Sequence, residues 1–202
     1  MRELFDRAQG VRLDRAAYVS DFDERFWRIG AEGFWKLECL QNYQETGFPS
    51  WEAFRGGDWA GALRLIDELR PEFARYYGQV RAAGIGLHRV RVVERPVSPY
   101  LQWELHVLRA RGAFGEDSVV VTADRAATAV GPEPLPDLVV LGTEAVYEIH
   151  YTSDGTPDGA TRFTAPAAVD RARSLVQRLG QDGERLDAYF VREIAGLGAP
   201  SW

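Results

Sequence analysis

Apolar and polar positions alternate most sharply in the middle of the chain. From Leu87 to Glu94, Val90 and Val92 alternate with Arg89 and Arg91, which predicts a strand. Arg95-Pro96-Val97-Ser98-Pro99 follows as a polar corner with helix-start chemistry. Ser98 can accept from a free amide, and Pro99 suits the first helical position because its missing N–H would be unpaired there anyway. At about 100° per residue, the helix from Tyr100 to about Arg111 gathers an apolar arc. That arc holds Tyr100, Leu101, Trp103, Leu105, Val107, Leu108 and Ala110, with Gln102, His106 and Arg109 opposite. Glu104 falls near its middle, and Arg111 lies two turns on along the same stripe. A carboxylate buried there needs a cation or several donors, and Arg89 and Arg91 are the nearest candidates in sequence.

The same reading places the other elements. Residues 1–19 show no sustained period and are expected to be a flexible lead-in to a single domain over 20–202. Ser20 and Asp23 resemble a capping box ahead of a short helix carrying Phe22, Phe26 and Ile29. In Gly33–Tyr43, Trp35, Leu37 and Cys39 alternate with Lys36 and Glu38; this reads as a strand, although a helix would also fit the length. Trp51–Phe54 supplies a helical turn or two. Asp58 then caps a stripe running from Trp59 to Val80 in steps of three and four, predicting one long helix kinked at Arg70 by Pro71. Further strands are expected at Ser118–Thr122, Leu138–Leu141, Ala145–Tyr151 and Ala160–Thr164, with a helical turn in Ala123–Val130. Helices are expected at Pro166–Leu179 and Glu184–Leu197. Together these describe an α+β domain: a mainly antiparallel sheet of about five strands packed against helices, with a long kinked N-terminal helix and C-terminal helices.

Composition narrows the chemistry. The 202 residues carry a formal charge of −6, which argues against unaided nucleic-acid binding. Cys39 is the single cysteine, so no internal disulfide forms; a reducing, cytoplasmic setting fits, and Cys39 reads as a small core residue. No signal-like start and no run long enough to span a bilayer is present. His88, His106 and His150 lack metal-ligand spacing. The Asp154–Gly159 loop imitates the start of a calcium loop but has Ala165 at the twelfth position, so no metal and no cofactor are expected. Gly84-Ile85-Gly86 runs from helix to strand, the reverse of a dinucleotide motif.

What remains is a polar cluster of Glu38, Arg89, Arg91, Glu94, Tyr100 and Glu104, with Glu116 and Asp117 just beyond. Between Leu87 and Arg111 five arginines meet two glutamates, a local excess of positive charge inside an acidic protein. One reading is a buried network that fixes the strand–helix corner. The other is a ligand or partner site formed by Glu38, Arg89, Arg91, Tyr100, Trp103 and Glu104. No catalytic residue stands out.

The stretch RVRVVERPVSPYLQWEL at Arg89–Leu105 resembles the signature R-x-R-V-V-x-x-P-[LVI]-[ST]-x-Y-x-[RQ]-[WF]-E of a family of uncharacterised actinobacterial proteins. Trp35-Lys36-Leu37-Glu38 with Tyr43, and Gly115-Glu116-Asp117 before a valine-rich strand, resemble two further segments of that family. The resemblance covers roughly Phe34 to Phe190. It implies an accessory role, because members are commonly encoded beside helix-turn-helix regulators; it supplies no catalytic residues. The function expected is therefore a non-enzymatic accessory or ligand-sensing protein linked to regulation. Its partner would be such a regulator, a small anionic ligand or a second copy in a homodimer, with no nucleic acid or membrane. The alternative is a small enzyme acting on a phosphate- or carboxylate-bearing substrate at the Arg89, Arg91 and Glu104 corner.

Overall fold

The alternating strand around Arg89 and Arg91 becomes a central strand covered on both faces. The computed structural model describes residues 4–200, so the first three residues of the expected lead-in and the last two of the chain lie outside the described residues. Its strands are β1 (Val11–Leu13), β2 (Phe34–Glu38), β3 (Leu87–Val93), β4 (Glu116–Thr122), β5 (Leu138–Leu141), β6 (Ala145–Tyr151), β7 (Pro157–Phe163) and β8 (Glu184–Arg185). Its α-helices are α1 (Arg15–Phe26), α2 (Pro49–Arg55), α3 (Trp59–Glu68), α4 (Arg70–Ala82), α5 (Pro99–Gly112), α6 (Ala123–Val130), α7 (Pro166–Gln181) and α8 (Leu186–Glu193). Among the described residues the strands form one sheet in the order β1-β7-β6-β5-β2-β3-β4-β8.

This corrects the expected five-stranded, mainly antiparallel sheet. β2, β3 and β4 run parallel, while the β1-β7-β6-β5-β2 wing and the β4–β8 pair are antiparallel. The reason is connectivity. A strand, a helix and a strand in succession, as in β3-α5-β4, return the chain in the same direction, and adjacent parallel strands need such a crossover. The two missed end strands, β1 and β8, have three and two residues and are too short to show a period.

The expected long kinked helix is also corrected: two helices, α3 and α4, meet at Leu69. Pro71 cannot donate to the preceding turn and sits in the first turn of α4, where that loss is harmless. Leu69 N–H closes instead on Ile66 O, 3.2 Å, and the axis stops there. Within the stretch read as a lead-in, residues 7–19 carry a 3-10 turn, β1 and the start of α1, capped by Asp14 through Ala17 N–H at 2.8 Å.

Side-chain alternation assigns the two faces. Leu37, Val90, Val92, Val121, Leu138 and Val140 pack against α7. The opposite face carries two separate apolar clusters. One joins α2, α3, α5 and α8 around Trp103, Trp51 and Phe190; the other joins α1 and α4 around Phe26, Tyr77, Leu87 and Tyr147. Between them the same face of β2, β3 and β4 presents Lys36, Glu38, Arg89, Arg91 and Glu116. A charged seam thus divides two cores. No described helix is long and apolar enough to cross a membrane.

Candidate functional site

β2 and β3 are in register with Lys36 opposite Arg89 and Glu38 opposite Arg91, so alternate positions of both strands meet on the seam. Helix α5 lies over it and adds Glu104. Helix α5 is buried nearly all round, with Tyr100, Leu101, Gln102, Trp103, Glu104 and Leu105 all covered, which is why a carboxylate midway along it cannot reach bulk water. Ser98 fixes its start: the hydroxyl accepts from Leu101 N–H at 3.1 Å and donates to Gln41 O at 2.9 Å.

Arg91 is fully enclosed. Its Nε donates to Glu104 Oε2 at 2.7 Å, Nη1 to Val92 O at 2.9 Å and Glu38 O at 3.2 Å, and Nη2 to Leu40 O at 2.7 Å. Four of its five donors are thus spent inside the protein, and its ring-facing side covers Tyr43. Arg89 is held between Glu38 and Glu116, which accept from Nη1 and Nε. Glu38 also receives Lys36 Nζ at 2.6 Å, and Glu116 receives Tyr77 OH at 2.6 Å. Three cations, the partly exposed Lys36 among them, therefore face three carboxylates, which makes burial of the other five tolerable.

The carboxylates are not equivalent. Burial works against ionisation of Glu38, but Arg89, Lys36 and Arg91 outweigh it and hold the group well below the usual range. Glu116 is likewise lowered, burial being offset by Arg89 and Arg111. Glu104 moves the other way: burial pushes it up, and the nearby charge of Glu38 adds to that against the pull of Arg91. Only one of its oxygens has a hydrogen-bond donor, whereas Glu38 and Glu116 have two donors each. Glu104 Oε1 and Arg89 Nη2 have no partner within the described residues, yet neither is a sealed, unpartnered atom, so both reach open space.

That space is a cleft of about 390 Å³ walled by Lys36, Glu38, Glu45, Arg89, Glu104 and Arg111, with Arg15, Trp103 and the 44–48 loop around it. Arg111, half-buried in the last turn of α5, forms no ion pair or hydrogen bond with any described residue; its guanidinium carbon lies 6.0 Å from the Phe73 ring centre. The seam is thus a dry network on its Arg91 side and an open, mixed-charge cleft on its Glu104 side.

The sequence-predicted set is divided accordingly. Glu38, Arg89, Trp103 and Glu104 line the cleft, Arg91 lies beneath it, and Tyr100 is buried beside it with its hydroxyl on Glu45 Oε1 at 3.0 Å. Trp103 donates its indole N–H to Ser50 Oγ at 2.9 Å within the aromatic cluster of Trp51 and Phe54. Glu94 and Asp117 lie outside the cleft: Glu94 is exposed past the end of β3, and Asp117 pairs with Arg185 at 3.2 Å. Lys36 and Arg111 were not among the sequence-predicted residues, although each carries a signal: Lys36 is two residues from Glu38 on a strand, and Arg111 is two turns from Glu104 on one helical stripe. The three histidines lie apart. His88 stacks on Trp35 at 4.0 Å, His150 meets Thr161 at 2.8 Å, and His106 sits between Trp59 and Phe190, where burial and then Arg109 lower it to about 4. Burial raises the Cys39 thiol, and Asp137 adds to the shift.

A larger groove of about 640 Å³ opens at the C-terminal ends of β2 and β3, the position where open sheets with parallel strands commonly bind ligands. Glu94, Asp124, Asp137 and Glu148 line it without a lysine or arginine, and Asp137 is already engaged by Tyr151 OH at 2.9 Å and Cys39 N–H at 2.6 Å. Its charge is wrong for an anion, so the Glu104 cleft is the better candidate. In comparison with known proteins, a family model described as a domain of unknown function, DUF6879, matches residues 20–191, a span that includes the whole seam. No curated protein and no solved structure matches.

Proposed function

The chain belongs to the DUF6879 family, a domain of unknown function, and from that premise we propose that it is a non-enzymatic, ligand-sensing accessory protein. It takes a small anionic molecule into the Glu104 cleft. The observation that carries this reading is Arg111: a guanidinium without an ion-pair partner on the wall of a cleft whose other buried cations are committed. A half-buried guanidinium whose N–H groups are not hydrogen-bonded favours an anion through paired N–H donors. Arg89 and Arg91 act as scaffold in this reading. The actinobacterial setting beside helix-turn-helix regulators, which the sequence resemblance implies, makes such a regulator the proposed protein partner, in the cytoplasm, with a second copy of the chain the other candidate. The charge of −6 supports a role without direct nucleic-acid contact.

One observation favours the enzymatic alternative. Glu104 is raised by burial, has a free oxygen and lines the cleft, the attributes of a proton-transfer group acting on an anionic substrate. Both readings meet in one experiment. The protein and its Arg111→Gln and Glu104→Gln variants are followed by thermal shift with acetate and inorganic phosphate, and by turnover of p-nitrophenyl phosphate and p-nitrophenyl acetate. Sensing requires anion-dependent stabilisation that Arg111→Gln abolishes, without turnover. Turnover lost in Glu104→Gln would transfer the case to the enzyme, and no response to either anion would end the sensing reading.

A further inference from the structure

A second cleft of about 360 Å³ adjoins the first, and Arg89 and Arg111 belong to the walls of both. Its character is different. Helix α1 contributes Phe22 and Phe26, stacked with centres 5.3 Å apart, and α4 contributes Phe73 and Tyr76. Outside the wall, Trp27 meets Tyr76 edge to face at 6.3 Å. These two rings are 47% and 41% exposed, and they are the only aromatic side chains so exposed among the described residues. Two such exposures in mutual contact, one of them on the cleft wall, mark apolar surface that a ligand can cover.

The charges of this second cleft decide what covers it. Glu116 is spent on Arg89 and Tyr77, and Arg89 on Glu116 and Glu38. Arg111 is left without a hydrogen bond or ion pair among the described residues: the Glu116 charge acts on it only at longer range, and its guanidinium carbon lies 6.0 Å from the Phe73 ring centre. Glu72, exposed on α4, also lines the cleft and would repel a second negative charge.

We infer that the ligand is an aromatic monocarboxylate, its carboxylate on Arg111 and its ring among Phe22, Phe26, Phe73 and Tyr76. The inference rests on the anion-sensing reading and adds the body of the molecule to its charged end. The carboxylate satisfies the open guanidinium donors, while the ring gains offset or edge contacts with four aromatic walls. Acetate alone would forgo the ring contacts, and a neutral aromatic would leave Arg111 unanswered.

Calorimetric titration with phenylacetate, acetate and 2-phenylethanol tests this on the full chain. Phenylacetate is expected to bind at least about tenfold more tightly than either of the others. Arg111→Gln should reduce its affinity to that of 2-phenylethanol, and Tyr76→Ser should weaken it severalfold towards that of acetate, three of the four aromatic walls remaining. Both positions are partly solvent-exposed, and matching far-ultraviolet circular dichroism spectra verify that the variants remain folded. Equal binding of acetate and phenylacetate, lost in Arg111→Gln but unchanged in Tyr76→Ser, would overturn the aromatic inference and leave anion sensing standing. Phenylacetate binding indifferent to both substitutions would overturn the inference, and absence of binding by both anions would overturn it together with the reading beneath it.

Discussion

At the scale of the residue, the seam is governed by how many donors each carboxylate has. Glu38 and Glu116 each receive two, whereas Glu104 receives one and keeps an oxygen on the cleft. Removing Glu104 would leave Arg91, which is fully enclosed, without its hydrogen-bonded counter-charge, Glu38 acting on it only at longer range. Breaking one partner of such a buried pair typically costs about 3–5 kcal/mol. For a chain of this length that corresponds to a fall in Tm on the order of 10 °C. Glu104→Ala should therefore melt far below the parent, and Glu104→Gln less so, because its amide oxygen can still accept from Arg91 Nε. A Glu104→Ala protein melting within a degree or two of the parent would show that Arg91 is satisfied by its three carbonyl partners alone. The pairing was legible in the sequence because a carboxylate inside an apolar helical arc demands a cation, and Arg91 lay on the preceding strand. That Arg91 would be sealed and Arg111 left open was not legible. It depends on which end of α5 the 40–48 segment covers.

At the scale of the element, the strand–corner–helix unit is the part read most directly from sequence. β3, the Ser98 cap, Pro99 in the first turn and the apolar arc of α5 all follow from local chemistry. The α3–α4 break was misjudged because a hydrophobic stripe can continue in phase across two helices. Leu69 keeps helical dihedral angles, so periodicity alone cannot distinguish a bend from a break. Ser98 also does more than cap. Its hydroxyl ties the first turn of α5 to Gln41 O, and Gln41 in turn accepts from Glu94 N–H at 2.8 Å and donates to Val92 O at 3.0 Å. Ser98→Ala loses a cap of about 1 kcal/mol and a further hydrogen bond of about 1 kcal/mol, so a loss of roughly 2 kcal/mol is expected in urea unfolding. Ser98→Thr, which can make both contacts, should recover most of it. Equal stability of the alanine and parent proteins would mean that water replaces both bonds.

At the scale of the whole molecule, local period says little about which strands become neighbours. β2 pairs with β3 although nearly fifty residues and three helices separate them, and the order strand–helix–strand was the available sign of parallel pairing. The alternation of Val and Arg in β3 predicted a strand without saying what would cover its polar row; helices cover both faces, so that row became the seam between two cores. The N-terminal segment shows the same limit: without periodicity it reads as a lead-in, but its placement comes from tertiary contacts. Phe5 is 1% exposed and stacks on Phe163 of β7 at 4.3 Å, in the cluster that packs α7 onto the sheet. Leu4 O accepts from Arg171 Nε of α7 at 3.2 Å, and Arg7 pairs with Glu148 of β6. The segment thus closes one end of the core. A buried phenylalanine replaced by alanine typically costs about 3–5 kcal/mol, a large share of the roughly 5–15 kcal/mol that holds a domain together. Phe5→Ala should lower the urea midpoint accordingly and increase amide exchange in β7 and the start of α7 first. A change below about 1 kcal/mol, with protection in β7 unaltered, would mean that the segment detaches readily and contributes nothing to holding α7 on the sheet.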